Sequence, residues 1–178
     1  TKGKLIDCNF NGDELSGIIS YLCKSTNDYS GNTAVKLSCS GNKQSSLANI
    51  IKYDQNNVYI NSYDKSDNWI KFDFGERKIN LSSYTIRTNH CIQNNCAYPK
   101  TWKIYGSNDG ENWDEIDIRT NNSELNGRYH QKRFECQNSN KFYKYIKYIQ
   151  DESWHNRSYC KYKIKLTCIE FFGTIIEK

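Results

Sequence analysis

The chain has no methionine and a single proline, Pro99, and in its 178 residues no apolar run approaches the ~20 residues that span a bilayer. No transmembrane helix is expected. Thr1-Lys2-Gly3-Lys4 is not followed by a signal-like apolar stretch, so these residues are expected to carry no address. Glycines fall singly at turns, which leaves no phosphate cradle, and neither a glycine-framed serine nor a His-x-x-x-His spacing occurs. The three histidines, His90, His130 and His155, all lie in expected loops. Catalysis has little to stand on, and the chain is read as a non-enzyme. Charge of one sign is also scarce: the net charge is +5, and only Lys141 to Lys165, with seven Lys or Arg, is dense. There Tyr145, Lys147 and Ile149 share one face while Lys144, Ile146 and Tyr148 share the other, so the lysines read as ordinary strand lysines and no nucleic-acid partner is expected. Internal repeats are absent, as is any low-complexity linker after residue 12.

Eight cysteines (Cys8, Cys23, Cys39, Cys91, Cys96, Cys136, Cys160 and Cys168) invite a disulfide reading, but no Cys-x-x-Cys pair occurs and the chain is too large to need stapling. Cys39 and Cys168 fall inside expected strands, where a thiol acts as a small hydrophobe. Mostly reduced cysteines are expected, which places the protein in the cytoplasm; several disulfides would place it outside the cell. His90, Cys91 and Cys96 supply three ligands where tetrahedral zinc needs four, so no metal site is expected. Sequons at Asn80, Asn121 and Asn156 are no more than so many asparagines give by chance.

What is present is strand material. Mean hydropathy is −0.88, yet Tyr, Ile and Phe are plentiful, so a core can form, and a chain this long buries about 70% of the surface its unfolded form exposes. One domain is expected over residues 13–178, behind a tether, residues 1–12, that holds one candidate strand. In Trp69-Ile70-Lys71-Phe72-Asp73-Phe74 the apolar residues Ile70, Phe72 and Phe74 share a face. Tyr84 and Ile86 do the same between Ser83 and Arg87, and Trp102 and Ile104 alternate with Lys103 and Tyr105 before a dense turn signal, Gly106-Ser107-Asn108-Asp109-Gly110. Further strands are read at Val35 to Ser40, Asp114 to Ile118, Lys132 to Phe134, Tyr143 to Ile149 and Ile164 to Phe172. Asp13 is the expected N-cap of a short helix, with Leu15, Ile18, Ile19 and Leu22 at helical spacing. Many short strands with turns about every ten residues and almost no helix indicate an all-β, antiparallel β-sandwich. Glu170 shares parity with Ile164, Leu166, Cys168 and Phe172. Either a bulge near Cys168 flips the register, or Glu170 is a buried carboxylate with a partner.

Trp69-Ile-Lys-Phe-Asp-Phe-Gly75, Trp102-Lys-Ile-Tyr-Gly-Ser-Asn-Asp-Gly-Glu-Asn-Trp113, Tyr145-Ile-Lys-Tyr-Ile149 and Ile169-Glu-Phe-Phe-Gly173 together resemble the discoidin domain, also called the coagulation-factor type C domain, of the galactose-binding-like superfamily. The resemblance runs from Val35 to Gly173 and implies an eight-stranded jelly roll. The segment before Val35 and Ser123-Glu-Leu-Asn-Gly127 resemble the version attached to intracellular BTB-type adaptors of protists. The extracellular family members' terminal disulfide is missing, because Thr174 follows Gly173. In carbohydrate-binding relatives a glutamate at the place of Glu170 helps hold a structural calcium with an Asp-rich loop. That loop aligns with Ile50 to Asn57, where Lys52 stands near the expected aspartate and Asp54 is displaced, so calcium is disfavoured and no cofactor is expected.

The strand directions make the loop before Trp69 and the loop 88–100 neighbours, and the resemblance adds the loop after Ser40 and the loop 150–162. That end is the expected recognition surface, with Trp154, His155, Asn156, Arg157, Tyr159, Tyr53, Asn56, His90 and Tyr98 as candidate ligand contacts. An aromatic platform beside His, Asn and Arg suits the C–H face and hydroxyls of a sugar, and the same types make a peptide hot spot. Trp154 is either that platform or a corner plug. A protein partner is read first and a galactose-type or other glycan as the alternative, on a monomeric domain; anionic-membrane binding ranks last, because Gly41 to Ser46 and Asn89 to Asn95 read as polar tips.

Overall fold

The computed structural model describes residues 3–43, 45–61, 67–92, 96–155 and 162–178. Two antiparallel sheets face each other. One joins β3 (Asn42–Lys43), β4 (Val58–Asn61), β11 (Ile164–Glu177), β6 (Lys78–Thr88) and β9 (Gln131–Glu135) in that order, with β1 (Lys4–Cys8) added to β11. The other runs β2 (Lys36–Cys39), β5 (Asn68–Asp73), β10 (Tyr145–Ser153), β7 (Pro99–Ser107), β8 (Asp114–Arg119). The described residues thus hold eleven strands where eight were expected. The surplus lies in short segments with little apolar pattern, β1 and the two-residue β3 among them. Residues 4–8, read as tether with one candidate strand, pair with β11 from Lys4↔Glu177 to Cys8↔Gly173.

The alternation read in the sequence sets the core. Ile70, Phe72 and Phe74 are buried against Phe171, whose ring lies 4.8 Å from that of Phe72 in an edge-on contact. Each fully buried aromatic or aliphatic side chain contributes about 1.5–3 kcal/mol. Trp102 is fully buried and donates its indole N–H to the Tyr84 hydroxyl at 2.9 Å, which in turn donates to the buried Asp117 carboxylate; Arg119 Nε reaches the same oxygen at 2.9 Å. Every polar group inside the sandwich in this relay has a partner, as burial requires.

The Glu170 question resolves both ways at once. A register shift between Leu166 and Cys168 turns Ile169 and Phe171 inward, and Glu170 is fully buried on the opposite side, under helix α1 (Ile18–Thr26). Its carboxylate accepts the backbone N–H groups of Gly17 (3.1 Å), Ile19 (2.9 Å), Ser20 (3.1 Å) and Phe171 (2.8 Å). Helix N-termini leave such donors orphaned. Asp13 was expected to satisfy them, but it accepts Leu15 N–H in a turn of its own, and the helix starts at Ile18 behind Gly17, which has no side chain to cap with. A Cβ on Gly17 would stand 2.1 Å from the Phe171 carbonyl, so glycine is what lets the helix end descend onto β11. Gly173 occupies a second register shift at φ 149°, and a Cβ there would meet the Asn80 carbonyl at 1.8 Å.

Candidate ligand-binding site

The loops at one end of the sandwich rest on three buried amides. Asn89 donates to the carbonyls of Cys96 and Lys165, both at 2.8 Å, and accepts from Cys91 N–H at 2.8 Å. Gln150 donates to Ala97 (3.3 Å) and Lys163 (2.7 Å) carbonyls and accepts from the Tyr148 hydroxyl. Asn68 donates to the Tyr162 carbonyl and sits 3.3 Å from the Ser40 hydroxyl. These side chains tie the loop before β5, the loop 89–98 and the start of β11 to one base, so the expected gathering of loops is present.

A disulfide, Cys91–Cys96, with Cα atoms 5.2 Å apart, closes the loop above Asn89. This corrects the expectation for that pair, which read as a partial metal site or free thiols; Cys8, Cys23, Cys39, Cys136 and Cys168 remain free. A loop four residues long between cysteines leaves the two sulfurs room to meet, and spacing alone did not reveal it. Ile92, which follows Cys91, is 80% exposed, so the stretch Asn89 to Asn95, expected to be polar, carries an exposed apolar side chain.

Around this base stand the aromatic and polar side chains. His90 is exposed, its ring 5.9 Å from that of Tyr129 and tilted by 31°. Tyr98 is nearly buried, donates its hydroxyl to the Cys91 carbonyl and packs its ring 5.5 Å from His155; burial pushes its phenol up and the imidazole of His155 down. His155 Nδ1 is buried and finds no hydrogen-bond partner among the described residues. The pairing of β10 with β7 is irregular after Gln150, and Trp154 follows directly on this stretch. Trp154 is half-buried, with its backbone N–H on the Tyr98 carbonyl at 2.9 Å, its indole N–H on the Asn122 carbonyl at 2.9 Å and Lys100 Nζ 5.1 Å from its ring centre. The indole edge pins a neighbouring loop, and the side chain as a whole is neither fully buried nor fully exposed. Asn156, Arg157 and Tyr159 lie outside the described residues, as does Asn94.

Two expected contacts are elsewhere. Tyr53 ends helix α2 (Asn49–Lys52) and donates its hydroxyl to the Ile169 carbonyl at 3.1 Å, in the stretch of the β11 edge between its pairings with β4 and β1. Burial and the nearby Glu170 raise its phenol well above the ordinary range. Ile169 is five residues, roughly 16 Å at strand rise, from the loop end at Ile164. Asn56 follows in the same connection, its N–H on Asp54 Oδ1. The resemblance placed both at the loop end, but α2 carries the chain down the side of β11 before β4 climbs back. The same positions bear on calcium: both Glu170 oxygens are engaged by amides, and Asp54 is engaged in its own turn.

The sequence reading missed the loop 120–130. Thr88 Oγ1 holds it by donating to the Gly127 carbonyl (2.6 Å) and accepting His130 N–H (2.8 Å), and Tyr129 N–H reaches the Asn89 carbonyl at 3.0 Å. This delivers Tyr129, with Arg128 5.7 Å from its ring centre, against His90. The only signal was the Asn- and Gly-rich composition of a turn, which gives no address.

Residues 26–163 match the F5/8 type C domain model. The chain belongs to this family. Domains of the F5/8 type C family are non-catalytic binding modules, and some of the solved structures with a similar fold are parts of enzymes. Among solved structures the fold is similar to a CBM32-3 module of a family 31 glycoside hydrolase from Clostridium perfringens (TM-score 0.60, 15% identity, covering 78% of this chain and 91% of that one). It is also similar to CpGH89CBM32-5 from Clostridium perfringens, in complex with GalNAc-beta-1,3-galactose (TM-score 0.57, 12% identity, 78% and 95% covered). A third is the lectin domain of lectinolysin complexed with Lewis B antigen (TM-score 0.55, 15% identity, 77% and 91% covered). Among curated protein sequences nothing matches. In this F5/8 type C domain the Ser107-Asn108-Asp109-Gly110 block is a turn built by Asp109, which accepts N–H groups from Glu111 (2.9 Å) and Asn112 (2.8 Å). No described helix is long and apolar enough to cross a membrane.

Proposed function

We propose that this domain is a carbohydrate-binding module that takes a neutral, galactose-type glycan at the loop end. The observation that carries the reading is the convergence of His90, Tyr129 and Arg128 with the Tyr98–His155 pair and the half-exposed Trp154 on a base of fully satisfied buried amides. Aromatic faces suit the C–H surface of a sugar, and imidazole and guanidinium donors suit its hydroxyls. A rigid base lowers the ordering cost of binding. The names of the fold relatives, which include complexes with GalNAc-beta-1,3-galactose and Lewis B antigen, support the same reading.

The protein-partner reading keeps one observation of its own, the exposed Ile92 on the disulfide-closed loop. Its companion, an intracellular adaptor context, draws no support from the relatives, and Cys91–Cys96 favours an oxidising compartment. Calorimetric titration with galactose-containing oligosaccharides tests the choice: binding that is lost in Tyr129→Ala and kept in Ile92→Ser supports the glycan site. Absence of glycan binding, with a protein ligand released by Ile92→Ser, supports the other.

A further inference from the structure

The number of sequons in the chain is no more than chance supplies, so the surroundings of each asparagine must decide which of them can be used. Asn80 is half-buried inside β6 and donates its carboxamide to the Ser139 and Lys141 carbonyls, each at 2.9 Å, while Ser82, which completes its sequon, bonds Asn9 and the Phe172 carbonyl. A sugar on Asn80 Nδ2 would remove one of those hydrogens. Asn121 is the opposite case. It is exposed in the bend that follows β8, at φ 52°, with its backbone N–H on Thr101 Oγ1 at 3.2 Å and its carboxamide making no hydrogen bond among the described residues. Ser123, which completes this sequon, is exposed as well, and its hydroxyl likewise makes no hydrogen bond among the described residues. The bend is fixed by the residue between them: Asn122 N–H donates to the Lys100 carbonyl at 2.8 Å, its carbonyl accepts the Trp154 indole at 2.9 Å, and its Oδ1 accepts Glu124 N–H at 2.9 Å. The fold therefore makes no use of the Asn121 carboxamide. Asn156 lies outside the described residues.

We propose that Asn121 is an N-glycosylation site, with an oligosaccharide carried on its Nδ2. The donor is an oligosaccharide joined through its anomeric carbon to a lipid pyrophosphate. The bond from the anomeric carbon to the phosphate oxygen breaks, the bond to Nδ2 forms, the lipid pyrophosphate leaves with the bonding pair, and one Nδ2 proton passes to a base of the transferase. Such a donor belongs to the secretory pathway, and Cys91–Cys96 favours an oxidising compartment. The unpaired thiols do not oppose this. Cys8, Cys39 and Cys136 are half-buried and Cys23 and Cys168 fully buried, and burial raises all of them, Cys8 to about 11 and Cys23 to about 12. Little of the reactive thiolate is present, so these cysteines can stay reduced beside a formed disulfide. Because Asn121 directly precedes the residue that takes the Trp154 indole, the sugar marks the margin of the loop end. The proposal does not depend on what that end binds.

The test is site-resolved mass spectrometry of the full protein isolated from the cells that make it, and of the same chain secreted from a eukaryotic host, each before and after treatment with peptide N-glycosidase. The expected result is an oligosaccharide on the peptide that contains Asn121 in both samples, released by the glycosidase. In the secreted chain Asn121→Gln and Ser123→Ala should each abolish it, and Asn80→Gln should leave it in place. Asparagine suits the positive φ of the bend better than glutamine does, so Ser123→Ala, which keeps Asn121, separates loss of the sequon from a disturbed fold. An Asn121 that is unmodified in either sample, or a modification of it that survives Ser123→Ala, overturns the proposal.

Discussion

Replacing Glu170 tests how this fold is closed on its N-terminal side. The carboxylate is fully buried and satisfies four backbone N–H groups, three of them at the start of α1. Burial raises its proton affinity and the four donors pull it back down. Apolar replacement of a buried charge is often tolerated when the partner is replaced as well, but here the partners are main-chain amides that no mutation removes. Glu170→Met keeps the volume and orphans all four donors, at about 1–3 kcal/mol for each buried donor that water does not reach. Allowing for relaxation and non-additivity, a total of about 3–5 kcal/mol follows, roughly 6–20 °C in melting temperature for a domain of this size. Glu170→Gln retains one acceptor oxygen and turns an amine toward two donors, so it should cost about half as much. Denaturant melts give the totals, and hydrogen exchange should show the amides of Ser20 to Cys23 losing protection first. A Glu170→Met protein that melts within about a degree of the parent, with α1 still protected, would refute the reasoning.

The remaining expectations are narrower. Two of the eight cysteines are joined, so thiol titration of the denatured, unreduced protein should find at most six reactive groups, and Cys96→Ser should cost about 2 kcal/mol, the entropy of so short a loop; eight reactive thiols would contradict the bond. Chelator should leave the melting temperature unchanged because Glu170 is engaged by amides rather than by calcium, and a drop of several degrees reversed by calcium would overturn that assignment. Hydrogen bonds from Asn112 and Glu111 hold the Asp109 carboxyl well below the usual range, so its contribution is present above the unfolded aspartate value and is lost as pH falls. The acid arm of the stability curve should be shallower in Asp109→Asn, and an unchanged arm would show that the turn does not depend on the charge.

Much of the sandwich was legible because it is written in local periodicity. Ile70, Phe72 and Phe74, Tyr84 and Ile86, and Trp102 and Ile104 all point into the core as their alternation requires. Even the misfit was informative: the parity of Glu170 announced a buried carboxylate, and the bulge beside Leu166 explains how Ile169 and Phe171 still face inward. What could not be read is set by residues distant in sequence. Asp13 has the local look of a helix cap, but the true acceptor lies about 150 positions away on β11. Tyr53 looked like a loop aromatic until α2 and the Ile169 carbonyl gave it a place. Tyr129 meets His90 only because Thr88 and Asn89 hold the loop 120–130, and Lys144 and Lys147 looked evenly divided between faces until β5 set Lys71 opposite Lys147.

The central claim, a neutral glycan bound at the loop end, is tested most directly by nuclear magnetic resonance titration with GalNAc-beta-1,3-galactose. The account predicts saturable shifts confined to Cys91, Ile92, Tyr98, Tyr129 and His155, with the Tyr145 to Ile149 strand unmoved. No shift up to about 10 mM ligand, a limit equivalent to binding weaker than about 3 kcal/mol, or shifts confined to that strand, would contradict it.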